Sequence, residues 1–273
     1  MKKAFIYRRG GLGDTLLVFP IFEILTRQGY HITASGNRDY LEIARQAGWV
    51  QRITSEEPDD DFDLRVIIGV NGNLYPFPEK REWIVEYYLC SLGLSGYTYS
   101  KVLPLNIEPQ RLARVLIAPS SGSKKKNLPP ELFMRLRELF PEGVFLAGEA
   151  DLWLTQYLKP IMLDHDILKG ASIIKGASLF IGADSGLSHL SAYLGVKTVI
   201  IYGPSDPVVW RPIGERVIQL RATECKPCFP SVCEGRDCLQ KSDIIEQVLS
   251  ALKALSTSDT LPDLSYTLCN QGS

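Results

Sequence analysis

The chain has 273 residues, with 30 basic and 31 acidic side chains and a net charge of −1. That balance excludes a protein built to live on bulk nucleic acid, which needs a strongly basic surface. The longest run without a charged residue, 87–100, is fourteen residues, short of the roughly 20 apolar residues a membrane span requires.

Hydrophobic residues make up 45%, enough for a sizeable core that needs no disulfide. The basic start Met1-Lys2-Lys3 leads into an apolar stretch too short for a signal peptide, so a cytoplasmic location is expected.

Taken in order, the chain alternates strands with helices. Lys3–Arg8 is a strand, and Gly10-Gly11-Leu12-Gly13-Asp14 leads into a helix that Pro20 should bend. Strands are expected at 31–34, 49–53 and 64–70, with a helix over 38–47 ended by Gly48. An acidic segment, 56–63, precedes the last of these strands. A helix over 79–92 is followed by irregular chain to 110. A second set then begins: strands at 114–118, 144–147, 161–163, 179–183 and 198–202, and helices at 131–139, 150–158, 167–175, 187–194 and 241–255. This alternation is the pattern of an α/β protein with parallel sheets, in two halves around a cleft.

Four segments carry chemistry. The first glycine loop allows close backbone approach to a ligand, but no further Gly or Ala follows Gly13 to complete a dinucleotide fingerprint. Asp14 reads either as a helix cap or as a carboxylate able to take a proton from a substrate hydroxyl. Ser120-Ser121-Gly122-Ser123-Lys124-Lys125-Lys126 is either a solvated charged loop or an anion site, most simply for phosphate. Asp184-Ser185-Gly186-Leu187-Ser188-His189 opens a helix right after a buried strand, where free N–H groups suit an anion. His189 would pair with that anion when charged, or pack as a neutral ring. Tyr202-Gly203-Pro204-Ser205 ends the next strand, and the two strand ends imply one shared pocket. No Gly-x-Ser-x-Gly elbow is present, which disfavours a serine hydrolase. Cys225, Cys228, Cys233 and Cys238 are dense enough for a structural metal, zinc or an iron–sulfur centre; two disulfides and free buried cysteines are the rivals.

Together these motifs resemble glycosyltransferase family 9, the ADP-heptose:lipopolysaccharide heptosyltransferases. The resemblance rests on Leu12-Gly13-Asp14 with Pro20, and on Lys126-Asn127-Leu128-Pro129, where Leu replaces the family's Trp. It rests further on Asp184–His189, Tyr202–Ser205 and Cys225-Lys226-Pro227-Cys228. It implies an α/β GT-B fold, two Rossmann-like domains facing across a cleft that closes at a hinge. Residues 1–110 would be a shortened acceptor-side domain, 111–255 the nucleotide-sugar-binding domain and 256–273 a tail. The implied reaction is inverting transfer of a sugar, heptose, from an ADP-linked donor to a lipopolysaccharide core or related glycan, with no cofactor for catalysis. Asp14 would be the catalytic base. Gly13, Ser121, Lys126, Glu149 (or Asp151), Asp184, Ser185, Gly186, Leu187, His189 and Gly203 would bind the donor. The cysteines would hold a structural zinc or form disulfides. The implied partners are the nucleotide sugar and a glycan or lipid-linked glycan, with weak association at the inner membrane surface and no nucleic acid. A nucleotide-sugar epimerase or hydrolase on the same fold is the alternative, and a non-catalytic nucleotide-sugar-binding protein is another.

Overall fold

The computed structural model describes residues 1–221, 223–229 and 236–257. The first half contains strand β1 (Lys2–Arg8), helices α1 (Leu12–Leu16) and α2 (Phe19–Arg27), β2 (Tyr30–Gly36), α3 (Arg38–Gln46), β3 (Arg52–Thr54), β4 (Leu64–Ile68) and α4 (Ile84–Ser91). The second contains β5 (Val115–Ala118), α5 (Pro130–Leu139), β6 (Val144–Ala147), β7 (Ile161–Met162), α6 (Ile167–Lys175), β8 (Leu179–Ala183), α7 (Gly186–Tyr193), β9 (Lys197–Ile201), β10 (Val217–Leu220), α8 (Asp237–Gln240) and α9 (Ser242–Thr257). Short 3₁₀ turns cover Lys124–Lys126 and Glu149–Gln156.

Both sheets are parallel. The first has four strands in the order β3-β2-β1-β4, the second six in the order β10-β9-β8-β5-β6-β7. These are the two Rossmann-like units of a GT-B fold, as expected. In each sheet the central strands, β1 and β8, carry buried apolar runs because helices cover both faces.

Several boundaries moved for identifiable reasons. Pro20 does interrupt the first helix: α1 stops at Leu16 and α2 restarts with the proline in its first turn, where its missing N–H costs nothing. The third strand starts later than expected because Gly48, at φ +78, turns the chain and Trp49 and Val50 drop into the core. α4 begins at Ile84, since residues 77–83 are used in contacts with the other half. β10 had no separable signal; its four residues alternate partly buried and buried positions against β9.

One apolar cluster crosses between the halves. It joins Ile6, Phe19, Phe22 and Trp49 of the first to Leu116, Phe180, Leu190 and Tyr193 of the second. Helix α7 lies in it: the Tyr193 ring packs on Phe19 and Trp49 at centroid distances of 6.4 and 6.5 Å. The Leu103 N–H donates to the Tyr193 carbonyl at 2.7 Å. Burying a side chain of this size contributes about 2 kcal/mol. A second cluster, containing Ile117, Phe133, Val199 and Leu249, belongs to the second sheet alone.

Candidate functional site

The two glycine-bearing helix starts meet at the seam. Gly186 opens α7 and Gly13 lies in α1. A Cβ on Gly186 would stand 2.6 Å from Leu12 Cβ and 3.1 Å from the Gly13 nitrogen. A Cβ on Gly13 would stand 3.4 Å from His189 Cδ2. Glycine is therefore required at 186 for helix-to-helix approach, while a Cβ at 13 would make ordinary contact. Gly186→Ala is expected to destabilise the protein by about 1–3 kcal/mol through overpacking. Urea unfolding checks this, with Gly122→Ala as the control, because that site has open space around it.

On the first half, Asp14 sits in α1, a third exposed. Its Oδ1 accepts from Arg8 Nη2 at 2.9 Å, and its Oδ2 accepts from the Gly11 N–H at 3.0 Å. Arg8 ends β1 and is 9% exposed. Sequence reading passed over Arg8 because a basic pair at a strand end looks like surface; the strand's alternation turns Arg8 inward.

On the second half, Asp184 is buried at the end of β8. Lys126 Nζ lies 3.1 Å from its Oδ2, and His189 Nε2 lies 3.5 Å from its Oδ1. Burial acts to raise the Asp184 pKa, but Lys126 and then His189 outweigh it and hold the carboxyl below the usual range. The Ser121 hydroxyl donates to the Asp184 carbonyl at 2.9 Å, and the Ser121 N–H donates to Asn127 Oδ1 at 2.8 Å. Ser185 caps α7, its hydroxyl accepting from the Ser188 N–H at 3.4 Å. His189 Nδ1 is buried without a hydrogen-bond partner. Lys126 also lies 4.8 Å from the centre of the Phe229 ring, a neighbour that sequence spacing could not reveal.

Asp184, Ser185, Gly186, Leu187, His189, Ser121 and Lys126 are thus brought together, with Gly13 against His189 and Asp14 one residue beyond. Gly203 has another reason to be glycine: a Cβ there would meet Leu239 Cγ at 2.5 Å. Asp151 accepts from the Gly148 N–H at 2.9 Å and so caps its own turn. The Glu149 side chain lies outside the described residues.

The site therefore offers a buried carboxylate–lysine–histidine cluster, a serine-capped helix start and, across the seam, a carboxylate held by an arginine. A cation and free N–H groups can stabilise a leaving diphosphate; a partly exposed carboxylate can take a proton.

Comparison with known proteins bears on this geometry. Residues 165–238, which contain the Asp184–His189 helix start and Gly203, match the family model for glycosyltransferase family 9 (heptosyltransferase). The chain has a glycosyltransferase family 9 heptosyltransferase-like fold. A family 9 glycosyl transferase from Veillonella parvula DSM 2008 is similar over 93% of this chain and 97% of its own, at 18% identity and a TM-score of 0.68. The iron-containing dodecameric glycosyltransferase TibC from enterotoxigenic E. coli H10407 is similar over 94% of this chain and 78% of its own, at 18% identity and a TM-score of 0.71. The E. coli heptosyltransferase WaaC with ADP is similar over 91% and 99%, at 15% identity and a TM-score of 0.66. No curated protein matches the sequence.

Within the family 9 fold, the expectation of a structural zinc or of disulfides at Cys225, Cys228, Cys233 and Cys238 is overturned. Among the described residues, no three His, Cys, Asp or Glu side chains gather so as to hold a metal ion, and the described cysteines form no disulfide with one another. The reason is direction: Cys238 faces the core beside Leu239 and Ile244, whereas Cys225 faces solvent. Cys233 lies outside the described residues, as does the tail from 258. Among the described residues, no helix is long and apolar enough to cross a membrane.

Proposed function

We propose that this chain is an inverting glycosyltransferase that moves heptose from an ADP-linked donor to a lipopolysaccharide core or related lipid-linked glycan. The observation that supports the reading is the close approach of Gly13 to Gly186 and His189, which packs the helix that carries Asp14 against the helix that follows Asp184. Asp14 is the base: it takes the proton of an acceptor hydroxyl as that oxygen attacks the anomeric carbon on the face opposite the diphosphate. Arg8 and the Gly11 N–H hold the carboxylate in place.

The anomeric carbon–oxygen bond breaks and the diphosphate departs with the electron pair. Lys126, the Ser185 hydroxyl and the N–H groups at Gly186 and Leu187 stabilise its charge, with Ser121 holding the Asp184 carbonyl beside them and no metal assigned to the step. His189 orients the Asp184 carboxylate, Gly203 lines the adjoining strand end and Glu149 takes the ribose. The first half, residues 1–110, receives the acceptor, and the second, residues 111–255, the donor. The reaction would run at the cytoplasmic face of the inner membrane, where a lipid-linked glycan is available. Support for ADP and heptose comes from similar structures: WaaC with ADP, and TibC in complex with ADP-D-beta-D-heptose.

Incubating the protein with ADP-heptose or with UDP-linked hexoses, with and without truncated lipopolysaccharide, tests this reading. Nucleotide release and product mass are the readouts. ADP release that depends on lipopolysaccharide, with a heptose-sized mass gain, is expected. Equal release with and without acceptor would instead identify a nucleotide-sugar hydrolase.

A further inference from the structure

The loop that follows Gly203 is held from both sides of the seam. Its own half shapes it: the Val208 N–H donates to Asp206 Oδ1 at 2.9 Å, the Tyr202 hydroxyl to the Trp210 carbonyl at 3.1 Å, and the Gln219 amide to the Pro207 carbonyl at 2.8 Å. The other half straps it down. Arg81 reaches Asp206 with both Nε and Nη2, at 2.6 and 3.1 Å. The Trp83 indole N–H donates to the Arg211 carbonyl at 2.7 Å, and the Ile84 N–H to the Val209 carbonyl at 3.2 Å. The Arg211 guanidinium lies 4.2 Å from the centre of the Trp83 ring, and Phe77 meets Trp210 edge-on at 6.1 Å.

All these first-half partners fall within residues 77–84, from the chain after β4 to the first residue of α4. That segment is tied back toward the carboxylate of the first half. The Tyr88 hydroxyl, on α4, donates to the Pro76 carbonyl at 3.1 Å. Tyr88 lies within electrostatic reach of Arg8 and Asp14. The strap therefore links the loop that follows Gly203 to the chain between β4 and α4 and, through Tyr88, to α4 itself. It extends the apolar cluster around α7, to which Trp83 and Ile84 belong and against which Trp210 packs. What it adds are the directional polar contacts that fix the place of the Asp206–Arg211 loop.

We propose that Arg81 and Trp83 are positioning residues that hold the Asp206–Arg211 loop, and with it the donor-side wall, at a set distance from Asp14. The inference rests on the transferase reading above. It follows that loosening the strap slows transfer while leaving nucleotide affinity intact, because none of the strap contacts involves Lys126, Ser121 or the start of α7. Small misplacements are expensive in such a site: about 1 Å can cost up to a hundredfold in rate.

The test uses Arg81→Ala, Trp83→Phe, Arg81→Asp and the reversed pair Arg81→Asp with Asp206→Arg. ADP affinity is measured by calorimetry, turnover by ADP release from ADP-heptose with truncated lipopolysaccharide, and folding by thermal midpoint. Arg81→Ala is expected to lower kcat about fivefold, as befits a partly exposed ion pair, and Trp83→Phe about tenfold through its lost buried hydrogen bond. ADP affinity should stay within about twofold. The reversed pair should recover at least half of the kcat that Arg81→Asp alone loses. Unchanged kcat in both single variants, absence of rescue, or ADP affinity falling in step with kcat would overturn the proposal. If the wild-type chain released no ADP, the transferase reading would fail and the strap would be judged by tryptophan emission during ADP titration. Loss of the ADP-induced change in Arg81→Ala at unchanged affinity would support it, and an identical response in both proteins, or none in either, would sink it.

Discussion

Asp14→Asn is expected to lower transfer turnover by about a thousandfold, in the range that removal of a positioned general base produces. The substitution is nearly isosteric, and its amide oxygen can still accept from the Gly11 N–H or from Arg8. What it removes is the anionic oxygen, the only one basic enough to take the proton. ADP affinity should change less than about twofold, since the Lys126 cluster belongs to the other half. Steady-state kinetics with calorimetry checks both at once. Near-normal turnover would remove Asp14 as the base and leave the fold untouched.

Asp184→Ala should have the largest effect on stability. It leaves Lys126 and His189, whose side chains are 16% and 6% exposed, without their shared carboxylate. Breaking a buried pair in this way costs about 3–5 kcal/mol, because the desolvated charge that remains has no partner. A fall of roughly 10 °C in thermal midpoint is the corresponding scale for a chain of this size.

The wild-type protein carries a pH signature of the same cluster. Burial works against ionisation of Asp184, but Lys126 and His189 win, so its folded pKa lies below the unfolded value of 3.8. Its contribution to stability is therefore fully present above that unfolded value and is lost as pH falls toward the folded one. Urea midpoints taken at pH 7 and near pH 3 should differ more for the wild type than for Asp184→Asn. A variant with the same acid sensitivity as the wild type would show that Asp184 is not a principal acid-sensitive group.

Much of this site was legible in the linear sequence, and for local reasons. A serine or aspartate before a glycine-led helix that follows an apolar strand can only be a strand-end helix start. The segment Asp184–His189 therefore announces its own geometry. Pro20 likewise declares the break between α1 and α2, because a proline is tolerated only in a first turn. Arg8, Phe229 and the strap residues Arg81 and Trp83 were not legible. Arg8 lies only six residues from Asp14, but its inward turn is set by packing; the others act on partners brought close only by folding, Arg81 and Asp206 being 125 residues apart and Trp83 and Arg211 128 apart. The cysteines show the opposite error. Close spacing in sequence suggested convergence, yet Cys225 and Cys238 face solvent and core.

The glycines show the same division most clearly. From sequence, Gly186 and Gly203 announce that a chain comes close to something, because only the absence of a Cβ permits it. The tertiary structure decides what comes close: α1 for the first, and the Leu239 side chain for the second. By itself, then, the sequence determined the alternating parallel architecture and the chemistry available at each strand end. Those follow from periodicity and from residue type within a few positions. Tertiary structure alone decided which strand ends face each other, how α7 is shared by the two halves, and which charged groups are paired. Those depend on long-range packing, for which no short stretch of residues carries the information.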